Sequence, residues 1–139
     1  SMEEYRRLAE RLLDEVLFSP EDRARVTPEI EEALLEALTR LIREHREVFT
    51  ERTPANEAAR AVLPAALRRV GELALRLSEL VRRGVSPRDD PELIKRAPEL
   101  MGEAVIAVYE ASGDVWLAMG IRDMFHAVWE AAEAAVAAQ

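Results

Sequence analysis

The chain has two histidines and no cysteine, so imidazole chemistry rests on His45 and His126, and thiolate ligands, Cys nucleophiles and disulfides are all excluded. Helical spacing from Ile30, Leu34, Leu38 and Leu41 carries His45 into an apolar stripe that continues to Val48. A neutral imidazole there needs a partner for at least one ring nitrogen. Three roles meet that need: a core His bonded to a carboxylate or carbonyl, a ligand contact or axial metal ligand in a bundle cavity, and a general base. His126 sits four residues from both Arg122 and Glu130, with Asp123 and Glu133 nearby, which reads as a solvated surface position. Asp123-x-x-His126 has a metal-ligand spacing, but metal sites in helical bundles use several inward carboxylates and no second such motif accompanies it.

The other residues with a chemical use are apolar. Met101, Tyr109, Trp116, Met119, Met124, Phe125 and Trp129 could wall a cavity for a flat apolar molecule, joined from an earlier helix by Leu41 and Phe49. Gly102, Gly120 and Ala104, Ala107, Ala111, Ala118 and Ala127 would leave room for it, although small residues equally permit close helix packing. Gly71, Gly102 and Gly120 fall inside helical patterns, where each costs about 1 kcal/mol against Ala. Space for a ligand or close backbone approach would account for that cost. Ser78 is the one hydroxyl within its helix and has no His or Asp at an identifiable spacing, so nucleophilic catalysis has no support. Glu92, Glu99, Glu103 and Glu110 share one narrow face, read as a solvated edge, and no Gly-rich phosphate loop occurs.

The elements that position these residues are all helical. Tyr5, Leu8, Ala9, Leu12, Leu13, Val16 and Leu17 mark one amphipathic helix from Glu3 to Phe18. Ser19-Pro20-Glu21-Asp22 restarts the chain as a short helical turn to about Val26, and Thr27-Pro28 begins a second long helix that includes His45 and Phe49. Thr53-Pro54 opens a third, stopped by Gly84 after Arg82 and Arg83. Ser86-Pro87 and Asp90-Pro91 start a fourth, which runs to about Ala111. Ser112-Gly113-Asp114 is a tight turn, and a fifth helix follows from Val115 nearly to the end. No stretch alternates with period two. The expectation is a single all-α domain over residues 1–139, a bundle of about five helices with one short extra turn and Pro kinks near Pro64 and Pro98. The apolar stretch Ala97 to Ala138 places the fourth and fifth helices innermost.

Composition narrows the function classes. The net charge of −8 argues against nucleic acid, whose phosphates need a concentrated basic face. No apolar run approaches a membrane span, and SMEEYRR has no apolar stretch of signal-peptide type, so a soluble cytoplasmic chain is expected, with Ser1-Met2 a cloning remnant outside the fold. Five of the seven prolines directly follow Ser, Thr or Asp, pairing a cap with a residue that needs no N–H. With clean polar faces and 18 Arg to a single Lys, this regularity resembles a computationally designed helical bundle. A second resemblance covers residues 77–114. An apolar helix, Gly84-Val85, a proline turn and then PELMGEAVIAVYEASGD look like the end of the F helix through the G helix of bacterial globins. That resemblance implies haem, yet Leu80 stands about one turn before the glycine, where the family's ligating His would lie.

These readings predict a bundle that holds a largely apolar or aromatic molecule, porphyrin-like cofactors such as haem included. The predicted wall is His45, Leu41, Phe49, Met101, Tyr109, Trp116, Met119, Gly120, Phe125 and Trp129. His45 or His126 would serve as axial ligand, and His45 as base if any reaction occurs. The alternative is an interaction module that homodimerises through its C-terminal apolar helices.

Overall fold

The computed structural model describes residues 1–139 and shows an all-α bundle without strands. Helix α1 (Met2–Leu12) continues as one π-helical turn, Leu13–Leu17. It is followed by a single turn, α2 (Pro20–Arg23), then α3 (Pro28–Glu44) and the short α4 (Arg46–Thr50). The long α5 (Glu57–Arg83) leads through a 3-10 turn at Pro87–Asp89 to α6 (Pro91–Ser112) and α7 (Val115–Ala137).

Several expected boundaries move, each for a local reason. Ser1 is part of the fold: its hydroxyl accepts from the Glu4 N–H and caps α1. The second long helix stops at Glu44, because His45 leaves helical geometry (φ −127°, ψ 41°). Asn56 and Thr53 close a reciprocal turn, Thr53 N–H to Asn56 Oδ1 at 3.1 Å and Asn56 N–H to Thr53 Oγ1 at 3.3 Å, so α5 starts only at Glu57. Ser19 and Asp90 cap as expected, accepting from Asp22 and Leu93. Thr27 and Ser86 do not; the Thr27 N–H donates instead to Ser78 Oγ at 3.1 Å, deep in the core. That bond gives Ser78 a structural task, because it anchors the start of α3 to the middle of α5. Helices α5 and α6 both continue through their interior prolines.

The centre of the bundle is α5 with α7, a correction to the expectation that α6 and α7 lie innermost. Helix α7 packs on α3, α5 and α6, while α5 packs on α6, α7 and the π-turn of α1. Twelve residues of α5 are buried, among them Val70, Leu73, Ala74 and Leu77, whereas α6 buries only Leu93, Leu100, Ala104 and Val108. Apolar composition alone misleads here, because Ile106 and Tyr109 of α6 point to solvent. Two glycines take positive φ as helix stops, Gly84 at 68° and Gly113 at 66°.

Ion pairs fix α6 against α5. Arg76 Nη2 lies 2.9 Å from Asp90 Oδ2, Arg96 Nε 3.2 Å from Glu72 and Arg69 Nε 3.0 Å from Glu103. The last two are largely exposed and contribute little. Asp90 is different, being buried, capping Leu93 and meeting Arg76 at once. Burial pushes its carboxyl upward, but the Leu93 N–H and the Arg76 guanidinium outweigh that and hold it below the ordinary carboxylate value. A carboxyl depressed on folding contributes stability that is present above its unfolded pKa and lost as pH falls through the folded one. Replacing Asp90 by Ala should therefore cost about 2 kcal/mol at neutral pH, a cap plus a charge-assisted bond. Urea melts should show that deficit shrinking as pH falls below about 4, the ordinary carboxylate value.

Candidate functional site

The predicted wall residues do not form one chamber. The structure scatters them over several places. Leu41, His45 and Gly120 meet where the end of α3 crosses α7: a side chain begun at Gly120 would strike Leu41 Cδ1 and come within 3.9 Å of His45 Nε2. Gly120 is therefore occupied by its neighbours, not reserved for a ligand. His45 is half-buried beside a polar surface hollow formed with Arg43, Glu44, Arg46, Glu47 and Asp114, not within an apolar stripe. Met119 is half-buried, while Tyr109 and Trp116 stand in solvent, Trp116 at 75% exposure. Those two cannot wall an interior cavity.

Met101, Phe125 and Trp129 do come together. They line a groove of about 400 Å³ between the first half of α6 and the second half of α7. Its floor is Leu73 of α5, with Phe125 beside it, 1% and 2% exposed. One wall is the α6 stripe Ile94, Ala97, Pro98 and Met101, residues that recur at helical spacing on one face. The opposite wall is Phe125 and Trp129, one turn apart on α7, with His126 at the exposed rim. The tight turn at Gly113 aligns these helices as a hairpin, and Asp114 Oδ1 fixes the start of α7 by accepting from Trp116 and Leu117 at 3.0 and 3.1 Å.

The groove is almost wholly apolar. His126 stands at its exposed rim, and neither that imidazole nor the Trp129 indole N–H hydrogen-bonds to another side chain or to the backbone. Such a site suits a flat apolar body.

A second hollow, of about 340 Å³, lies between the end of α1, α4 and the first half of α5. Phe49 belongs there, with Leu12, Val16, Leu63 and Pro64. Sequence reasoning missed this hollow, although Pro64 inside a helical pattern was its visible sign.

Chemistry beyond binding finds little footing. Ser78 is fully buried and its oxygen is engaged by Thr27, so it is no nucleophile. No three His, Asp or Glu side chains converge as a metal-ligand group. Leu80, at the place a globin-type haem ligand would occupy, is sealed in the core at 1% exposure, so haem held in that family's manner does not fit these residues. Compared with known proteins, the chain matches no family model, no curated protein and no solved structure. No helix is long and apolar enough to cross a membrane.

Proposed function

We propose that this chain is a small-molecule-binding bundle whose ligand, a flat and largely apolar or aromatic molecule, sits in the groove between α6 and α7. The observation that carries the reading is an almost wholly apolar groove of about 400 Å³ walled by Met101, Phe125 and Trp129. Burial of apolar ligand surface supplies the affinity. The same proposal takes the chain as a designed bundle; the Ser19 and Asp90 caps beside Pro20 and Pro91 support that origin.

The test uses the protein's own fluorescence. Trp116 and Trp129 are the only tryptophans, and Trp116→Phe leaves Trp129 as sole reporter. Titration with 1-naphthol should change its emission saturably, with Kd on the order of 100 μM for so small a ligand in an open groove. Linear, unsaturable quenching would contradict the proposal.

A second reading has its own observation. Ile106, Tyr109, Val115 and Trp116 are all about half exposed or more and cluster at the turn end of the α6–α7 hairpin, a surface a second copy could cover. Light scattering should then report a dimer that Trp116→Lys converts to monomer. A wild-type monomer at high concentration removes this reading without touching the first.

A further inference from the structure

We propose that the hollow between α1, α4 and α5 is a second binding site, and that it takes an amphipathic monocarboxylate: an aliphatic or aromatic tail on its apolar floor, a carboxylate at Arg52 and Arg60.

Three departures from regular helix converge on this hollow. Val16 lies within the π-turn, where the Phe18 N–H reaches back to the Leu13 carbonyl at 3.0 Å, five residues away. Phe49 is placed by the break at His45, which turns α4 out of the line of α3. Pro64 sits inside α5 and has no N–H to offer the Arg60 carbonyl. Each departure costs free energy by itself: an interior proline breaks one helical hydrogen bond and crowds the preceding turn, and a π-turn shifts another out of register. Unrelated irregularities scattered over a bundle would be unremarkable. Here the π-turn at Val16 and Pro64 line the same 340 Å³ hollow and the break at His45 sets Phe49 on it, and local rules are broken preferentially where a site is built.

Charge then selects the ligand. Asp and Glu outnumber Lys and Arg 27 to 19 in this chain, and most arginines lie against a carboxylate. The two at this hollow do not. Arg52 makes no ion pair and no hydrogen bond, and Arg60 bonds only the carbonyls of Val48 and Glu51 through one nitrogen, leaving the rest of its guanidinium free. Glu57, the one acid of the lining, pairs with neither. The site therefore carries one net positive charge over an apolar floor of Leu12, Val16, Leu63 and Leu67. A guanidinium pair favours a planar carboxylate, and Glu57 disfavours a second negative charge on the ligand.

Decanoate is the probe, followed by calorimetry and by methyl NMR shifts. It should bind at one saturable site and shift the methyls of Val16 and Leu63, while decyltrimethylammonium, with the same tail and opposite head, should bind at least tenfold more weakly. Arg52→Gln should weaken decanoate about fivefold, the loss of one exposed charge-assisted contact worth roughly 1 kcal/mol. Arg60 holds the end of α4, so the second variant is Ala61→Phe, an exposed position whose new ring fills the hollow without entering the core. It should reduce binding tenfold or more with an unchanged melt. Equal affinity for the cationic probe, indifference to Ala61→Phe, or shifts confined to the Ile94 and Met101 methyls would overturn the proposal.

Discussion

Gly71→Val should destabilise the protein by about 3 kcal/mol, lowering its melting temperature by about 10 °C, with no change in helix content before the transition. Gly71 lies in the middle of α5, where a glycine would ordinarily be a weakness. Here it is a clearance. A Cβ at that position would stand 2.9 Å from the Leu17 carbonyl oxygen and 3.3 Å from Phe18 Cε1. The first of these is backbone, at the end of the π-turn, and cannot rotate away. Both Leu17 and Phe18 are buried, so α1 would have to lift from α5 and expose them.

Gly102 is the control. A Cβ there meets nothing within 4 Å, so Gly102→Ala should stabilise by about 1 kcal/mol, the ordinary helix-propensity gain. Chemical denaturation of the two variants beside wild type reads both signs at once. Equal effects would show that helix propensity, not the α1–α5 contact, governs position 71.

The second large effect concerns binding. Ala97→Phe should weaken the naphthol complex at least tenfold while leaving stability within about 0.5 kcal/mol. Ala97 is half-buried on the α6 wall, facing Trp129 and Phe125 across the groove. Its new ring would take the place proposed for the ligand's ring, on the same apolar surface, so the groove closes without a core residue moving. Because the Ala97 side chain carries no polar atom, the variant removes space alone. A complex of unchanged affinity would place the ligand elsewhere on the molecule.

Much of this architecture is legible in the residues. The three- and four-residue spacing from Tyr5 to Leu17, and from Ile30 to Ile42, specifies helices because a 3.6-residue period leaves one face to bury. Gly84 and Gly113 mark stops because both take left-handed φ, and Asp114 announces the cap it makes. The π-turn is not legible, since one extra residue in a helical turn leaves the apolar pattern of Leu12, Leu13, Val16 and Leu17 almost undisturbed. Nor is the break at His45, where neither Gly nor Pro intervenes.

The site was legible only in part, for a related reason. Trp116 and Trp129 look equivalent in sequence, both on the apolar C-terminal helix, yet one is in solvent and the other walls the groove. Which face of α7 is covered depends on how α3, α5 and α6 are rotated against it, and spacing within one helix does not encode that. His45 went astray the same way: its helical angle is set by α3, but the chain leaves α3 one residue earlier.

Intermolecular NMR contacts between 1-naphthol and the protein's methyl groups test most directly whether the α6–α7 groove is the ligand's seat. Contacts from the naphthol ring to the Ile94 and Met101 methyls, absent in Ala97→Phe, are the predicted result. Contacts that fall instead on Ile106 and Val115, or none to any methyl at saturating naphthol, would contradict it.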